Sequence, residues 1–175
     1  HGARVCVAGE LTIGTNCTLT ASSHPSNGGS VLWQVGSLTL AGASSRFSAD
    51  VQGFPGGYSA TLSRGFGPGG GGVRCGGSHG GKAGDYNSGA AATYGVTNRP
   101  TLPGSGGGWG GADSYNNDGT AGGGLIWVEA ADRITVNGTI TVNGGPVEEW
   151  KYHPGGGSGG AILLACRRFK GTATG

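Results

Sequence analysis

The chain has 175 residues, of which 43 are glycine and only 11% are charged, with a formal net charge of +2. Collagen is excluded, because glycine does not recur at every third position and there are only 7 prolines. General disorder is disfavoured by near-neutrality and by apolar residues that come in clusters. So small a charge exerts little long-range pull on nucleic acid or an anionic membrane, and no stretch approaches the roughly 20 apolar residues of a membrane-spanning helix.

In chain order, the first unit holds three apolar pieces: Val5 with Val7, Leu11-Thr12-Ile13, and Leu19 with Ala21. Apolar, threonine, apolar is the period-two pattern of a half-buried strand. The second unit repeats it with Val31-Leu32-Trp33, Leu38-Thr39-Leu40 and Phe47 with Ala49. From about Gly53 to Gly124 the pattern gives way to glycine runs such as Gly69–Gly72, Gly106–Gly108 and Gly122–Gly124. A structureless loop of that length is unusual in a compact domain. Two packings are open for it: scattered aromatics (Phe54, Tyr58, Phe66, Tyr86, Tyr94, Trp109, Tyr115) anchor it to a face, or its runs bundle as polyproline-II-like strands whose bare backbones hydrogen-bond sideways. The third unit follows with Ile126-Trp127-Val128, Ile134-Thr135-Val136 and Ile140 with Val142. A fourth begins at Ile162-Leu163-Leu164, passes Phe169 and stops mid-unit at Gly175, while its Arg167, Arg168 and Lys170 read as a solvated face.

Three short strands cannot close a core of their own and need copies above and below. The expectation is one all-β domain over residues 1–175: a parallel β-helix, or solenoid, with coils at about 1–52 and 125–175 and a glycine-rich insert at about 53–124. Leu11, Leu38 and Ile134 are then expected in one column. An antiparallel β-sandwich of the same short strands is the alternative.

The absence of methionine, even at position 1, marks the chain as a processed or partial product. Its four cysteines, Cys6, Cys17, Cys75 and Cys166, lack the paired spacing of a zinc site, so two disulfides are expected. Cys6–Cys17 would be a local staple and Cys75–Cys166 a tie from insert to last unit, although three connectivities are open. Sequons at Asn16 and Asn137 fit glycosylation in an oxidising, secreted setting. An N-terminal His1 invites a copper reading with His24, His79 or His153, since imidazole suits copper. Carboxylates are sparse: Glu148 and Glu149 are adjacent and would point to opposite faces of a strand, which leaves Asp50 with Asp132 as a long-range pair for polysaccharide cleavage. Asp113 to Gly119 is rich in oxygen donors but has no EF-hand spacing and reads as an Asx-rich turn. No catalytic residue, metal or cofactor is assigned.

The blocks Gly122-Gly123-Gly124-Leu125-Ile126-Trp127-Val128 and Asn137-Gly138-Thr139-Ile140-Thr141-Val142-Asn143-Gly144-Gly145 resemble the glycine-rich extracellular β-solenoid repeat proteins of adhesins and surface filaments. Gly155 to Leu164 repeats the opening of that pattern. The resemblance covers the last third well and the first third loosely. It implies a non-enzymatic, extracellular structural protein of a fibre or matrix, associating head to tail with itself. The other class is a carbohydrate-binding adhesin module, with Trp109, Tyr115, Trp150 and Tyr152 stacking on sugar rings. Neither nucleic-acid binding nor membrane insertion is expected.

Overall fold

The computed structural model describes residues 2–86, 89–111, 117–147 and 153–172. Strands β1 (Arg4–Ile13), β2 (Thr18–Thr20), β3 (Leu32–Leu40), β4 (Arg46–Ser48), β5 (Leu125–Val136), β6 (Thr139–Thr141), β7 (Ala161–Ala165) and β8 (Arg168–Gly171) follow one another with no helix among the described residues. They form two open parallel sheets. The larger has five strands, β1-β3-β5 with β7 and β8 one after the other along the far edge of β5; the smaller is β2-β4-β6.

This arrangement corrects both expected folds. All pairings between these strands are parallel, and the single isolated antiparallel bridge among the described residues joins Ser23 to Ser30, so an antiparallel sandwich is ruled out. A three-faced β-helix is not what forms either, because the first two apolar pieces of each early unit are one continuous strand. The chain crosses the gap between them by a β-bulge, at Val7/Glu10 in β1 and at Val35/Ser37 in β3, where a turn had been expected. A bulge bends the strand and breaks the ladder locally without ending it. At Gly36 the backbones come so close that a Cβ would collide with the Ala8 and Gly9 carbonyls.

Register follows the apolar pattern, since a slip of one residue would turn every apolar side chain to the wrong face. Leu11, Leu38, Ile134 and Phe169 occupy one column, and Ile13, Leu40 and Val136 another. Between the two sheets, Val35, Leu38, Leu40, Phe47, Ala49, Ile126, Val128 and Ile134 form the main core. Alternate residues of the large sheet point the other way, where Leu32, Leu125, Trp127 and Ala161 make a second cluster. The insert helps to cover it: the Arg99 guanidinium lies 5.7 Å from the Trp127 ring centre and pairs with Glu129. The large sheet is therefore buried on both faces at this end.

The insert itself is a bundle. Along Gly104–Gly110 the amide partners change with a period of three. Gly104, Gly107 and Gly110 donate to Gly123, Thr120 and Asn117; Gly106 and Trp109 donate to Phe66 and Ser63; Ser105 and Gly108 donate to Ser158 Oγ and Cys75. Three residues per turn with no internal hydrogen bonds is the geometry of a polyproline-II-like run, so successive amides point in three directions. Carbonyls of the same run accept from Phe54, Gly57, Gly71 and Ser158. Such packing leaves no room for side chains: a Cβ on Gly106 would meet the Pro55 carbonyl, and one on Gly108 the Gly72 carbonyl.

One acidic side chain ties the small sheet together beyond β4. Asp50 accepts from the Asn143 amide (2.6 Å) and the Thr141 hydroxyl (2.8 Å). Burial pushes this carboxyl up, but those two hydrogen bonds, with Ser48 and the charge of Arg46, outweigh it and hold the group below the usual aspartate value of 3.8. A depressed folded value means that the stabilisation is complete above the unfolded value and is lost as pH falls through the folded one.

Two outcomes are expected from melting experiments. Gly108→Ala should cost about 1–3 kcal/mol or more through overpacking; a wild-type melting temperature would contradict the close packing of the runs. Asp50→Asn should melt lower at neutral pH and lose less stability than the parent on acidification from about pH 5 to pH 2. Parallel acid profiles for the two proteins would remove Asp50 from the account.

Candidate functional site

Among the described residues, two edges of the large sheet stand open. β1 pairs only with β3, and β7 and β8 pair only with β5. An open edge is a row of backbone donors and acceptors ready to template another chain. Neither edge is short or covered by proline: β1 is ten residues long, and β7 and β8 together offer nine.

The β8 edge is also exposed on its inner face. Phe169, the last member of the column Leu11–Leu38–Ile134, is 62% exposed, and Ile162 on β7 is 39% exposed. On the outer face of β8, Arg168 forms a two-oxygen pair with Asp132, its guanidinium 2.7 Å from each carboxylate oxygen. Hydrogen bonding from Arg168, with the charges of Arg133 and Arg167, holds the Asp132 carboxyl below its ordinary value despite an opposing desolvation effect. At the opposite edge β1 carries Glu10, whose carboxylate accepts from Thr39 Oγ1 (2.5 Å). Register places Glu10, Ser37, Arg133 and Arg168 in one row, with Thr12, Thr39, Thr135 and Lys170 two residues along.

The other sequence candidates are dispersed. Of the proposed sugar-stacking aromatics, Tyr115, Trp150 and Tyr152 lie outside the described residues. Trp109 is buried at 9% exposure, with its amide bonded to Ser63, so it pins the bundle and offers no face to a ligand. The expected disulfides are not formed: all four cysteines are free thiols. Cys6 lies far along β1 from Cys17, roughly 20 Å at strand rise, well beyond the Cα separation a disulfide spans. Cys75 is buried in the bundle, its sulfur accepting from the Tyr86 amide (3.2 Å), whereas Cys166 packs on the sheet core. Asn16 is exposed in a turn with φ of 59°, and Asn137 accepts from both the amide and the hydroxyl of Thr172.

His1 lies outside the described residues. His24 is exposed with Nδ1 accepting from Ser26, His79 is buried, and His153 is exposed. Among the described residues no three His, Cys, Asp or Glu side chains converge as metal ligands. Glu148, Glu149 and Asp113 to Asn116 also lie outside the described residues. Asp50 and Asp132 are each committed to other partners, Thr141 with Asn143 and Arg168. Head-to-tail joining of stacked units was expected from the sequence, whereas the exposure of Phe169 among Arg167, Arg168 and Lys170, which read as a solvated face, was not.

Comparison with protein-family models, with curated proteins and with solved structures finds no match for this chain.

Trp109→Ala is expected to destabilise the protein by about 3–5 kcal/mol, as for other buried aromatics. Thermal melting checks this; an unchanged melting temperature would return Trp109 to the surface and to the ligand-contact role.

Proposed function

We propose that the chain is a non-enzymatic structural module of an extracellular fibre or matrix, in which copies join head to tail by laying β1 of one copy on the β7–β8 edge of the next. Phe169 carries this reading. An aromatic left 62% exposed at the end of an otherwise packed apolar column has a place made for a further layer. Continuing the existing register sets Leu11 of the incoming copy over Phe169, Glu10 beside Arg168 and Thr12 beside Lys170. Acid then meets base on the outer face while apolar meets apolar within. Strand addition of this kind gains main-chain hydrogen bonds along the whole edge. The contact joins two different surfaces and does not close on itself, so it propagates. The exposed sequon at Asn16 supports the extracellular setting.

Sedimentation velocity and electron microscopy test it. The parent is expected to form concentration-dependent linear oligomers. Phe169→Asp, at an exposed site where the fold tolerates it, should raise the concentration needed by at least about tenfold. Glu10→Lys, which sets a like charge beside Arg168, should weaken association. A parent that stays monomeric up to about millimolar concentration, or a Phe169→Asp chain that assembles as readily, would overturn the reading.

A further inference from the structure

Just before the start of β7, a groove of about 750 Å³ opens on the glycine bundle. Ser158–Gly160 and Gly77 form its floor, residues 79–83 one wall and residues 93–97 with Pro100 the other. One residue of each wall is held in place. His79 is buried, its Nδ1 3.1 Å from the Gly159 carbonyl, and its ring is tilted on Tyr94 with centres 4.7 Å apart. The Tyr94 hydroxyl is held by the Pro103 carbonyl and Ser105 Oγ, and its amide donates to the His79 carbonyl.

We infer that this groove binds a neutral saccharide. The chemistry of the lining decides the class. Main-chain amides of Gly80, Gly81 and Gly159 have no partner within the described chain, nor do the carbonyls of Gly77 and Gly80, and Thr93 and Thr97 add two hydroxyls. Donors and acceptors are thus interspersed, which suits hydroxyls, since each of them both gives and takes. The half-buried Tyr94 ring, seated on the buried His79, supplies an aromatic wall for the C–H face of a sugar ring. Anionic ligands are poorly served: Lys82 is the one cation in the lining, and Asp85 lies 3.8 Å from its ammonium. A purely apolar ligand would strand the free amides and carbonyls out of water, at a cost of about 1–3 kcal/mol each. A fixed groove with a few placed polar groups is the usual form of a small-ligand site.

The floor provides a fold-preserving test. A Cβ added at Gly159 meets nothing within 4 Å, and the same holds at Gly84, which lies outside the groove. Gly159→Leu therefore places its Cβ in open space at a groove-lining position, and Gly84→Leu is its matched control. The probes are cellotetraose, N-acetylchitotriose and mannotriose, titrated into the chain by calorimetry and by amide chemical shifts. At least one should bind, with shifts centred on Gly80, Gly81, Thr97 and Gly159. Gly159→Leu should weaken it by at least about tenfold, and Gly84→Leu should leave it unchanged, with both variants melting like the parent. Binding untouched by Gly159→Leu, no binding of neutral sugars, or binding confined to sulfated glycans and abolished by salt would each overturn the assignment. None of these outcomes depends on whether copies assemble through their strand edges.

Discussion

Parallel strands exchange evenly spaced hydrogen bonds and leave the same pattern on the far side of each strand added. A segment that repeats an apolar pattern can therefore stack on its predecessor in only one useful register, and the rest of this molecule depends on that constraint. β1, β3 and β5 meet residue for residue on both sides of the bulge, so one column of leucine and isoleucine continues through three layers. The small sheet follows the same rule, with Leu19, Phe47 and Ile140 in line. The last layer keeps the same register although it is split into β7 and β8, so the backbone pattern at that edge still matches the one that β1 completes at the other.

The glycine bundle is a continuation of this stacking in a second geometry. The run at 117–124 leads directly into β5, and the run at 155–160 directly into β7. The two are already joined before their strands begin, through Gly123 to Ser158 and Ala161 to Gly124. Gly124 also donates to Ala49 and Gly160 to Val142, which brings the ends of the small sheet into the same network. Sheet and bundle therefore share one register. An alanine inside the bundle would disturb more than its own site, because each run is bonded in three directions at once.

The sequence carried much of the sheets and little of the bundle. The threonine-centred triplets at Leu11, Leu38 and Ile134 marked the strands and their column, because periodicity and register arise from the same side chains. It did not reveal that Gly9 and Gly36 lie at bulges rather than turns, since glycine permits either. In the bundle, specificity resides in which amide meets which carbonyl, and glycine has no side chain to record that choice. Trp109 was misread for a related reason: a lone aromatic in a glycine run looks exposed, yet neighbouring runs close around it. His79 and Tyr94 lie 15 residues apart in the chain and come together only because the bundle folds their two segments onto one run. Most of the groove's polar groups belong to the main chain, which no motif can signal.

Edge and groove are physically connected. The floor of the groove, Ser158–Gly160, is the stretch that delivers β7 to the open edge. Copies added at that edge would each bring one groove, spaced by the four layers β1, β3, β5 and β7. At the usual separation of parallel strands this is about 19 Å. A shallow groove with few charged groups binds one short sugar weakly, but a rigid row of such grooves meets a polysaccharide many times along its length. Linked weak sites of this kind gain apparent affinity without any new contact, provided the spacing matches the ligand. A fibre built by strand addition and a groove built on glycine would then serve one purpose, with assembly supplying the strength that the single site lacks.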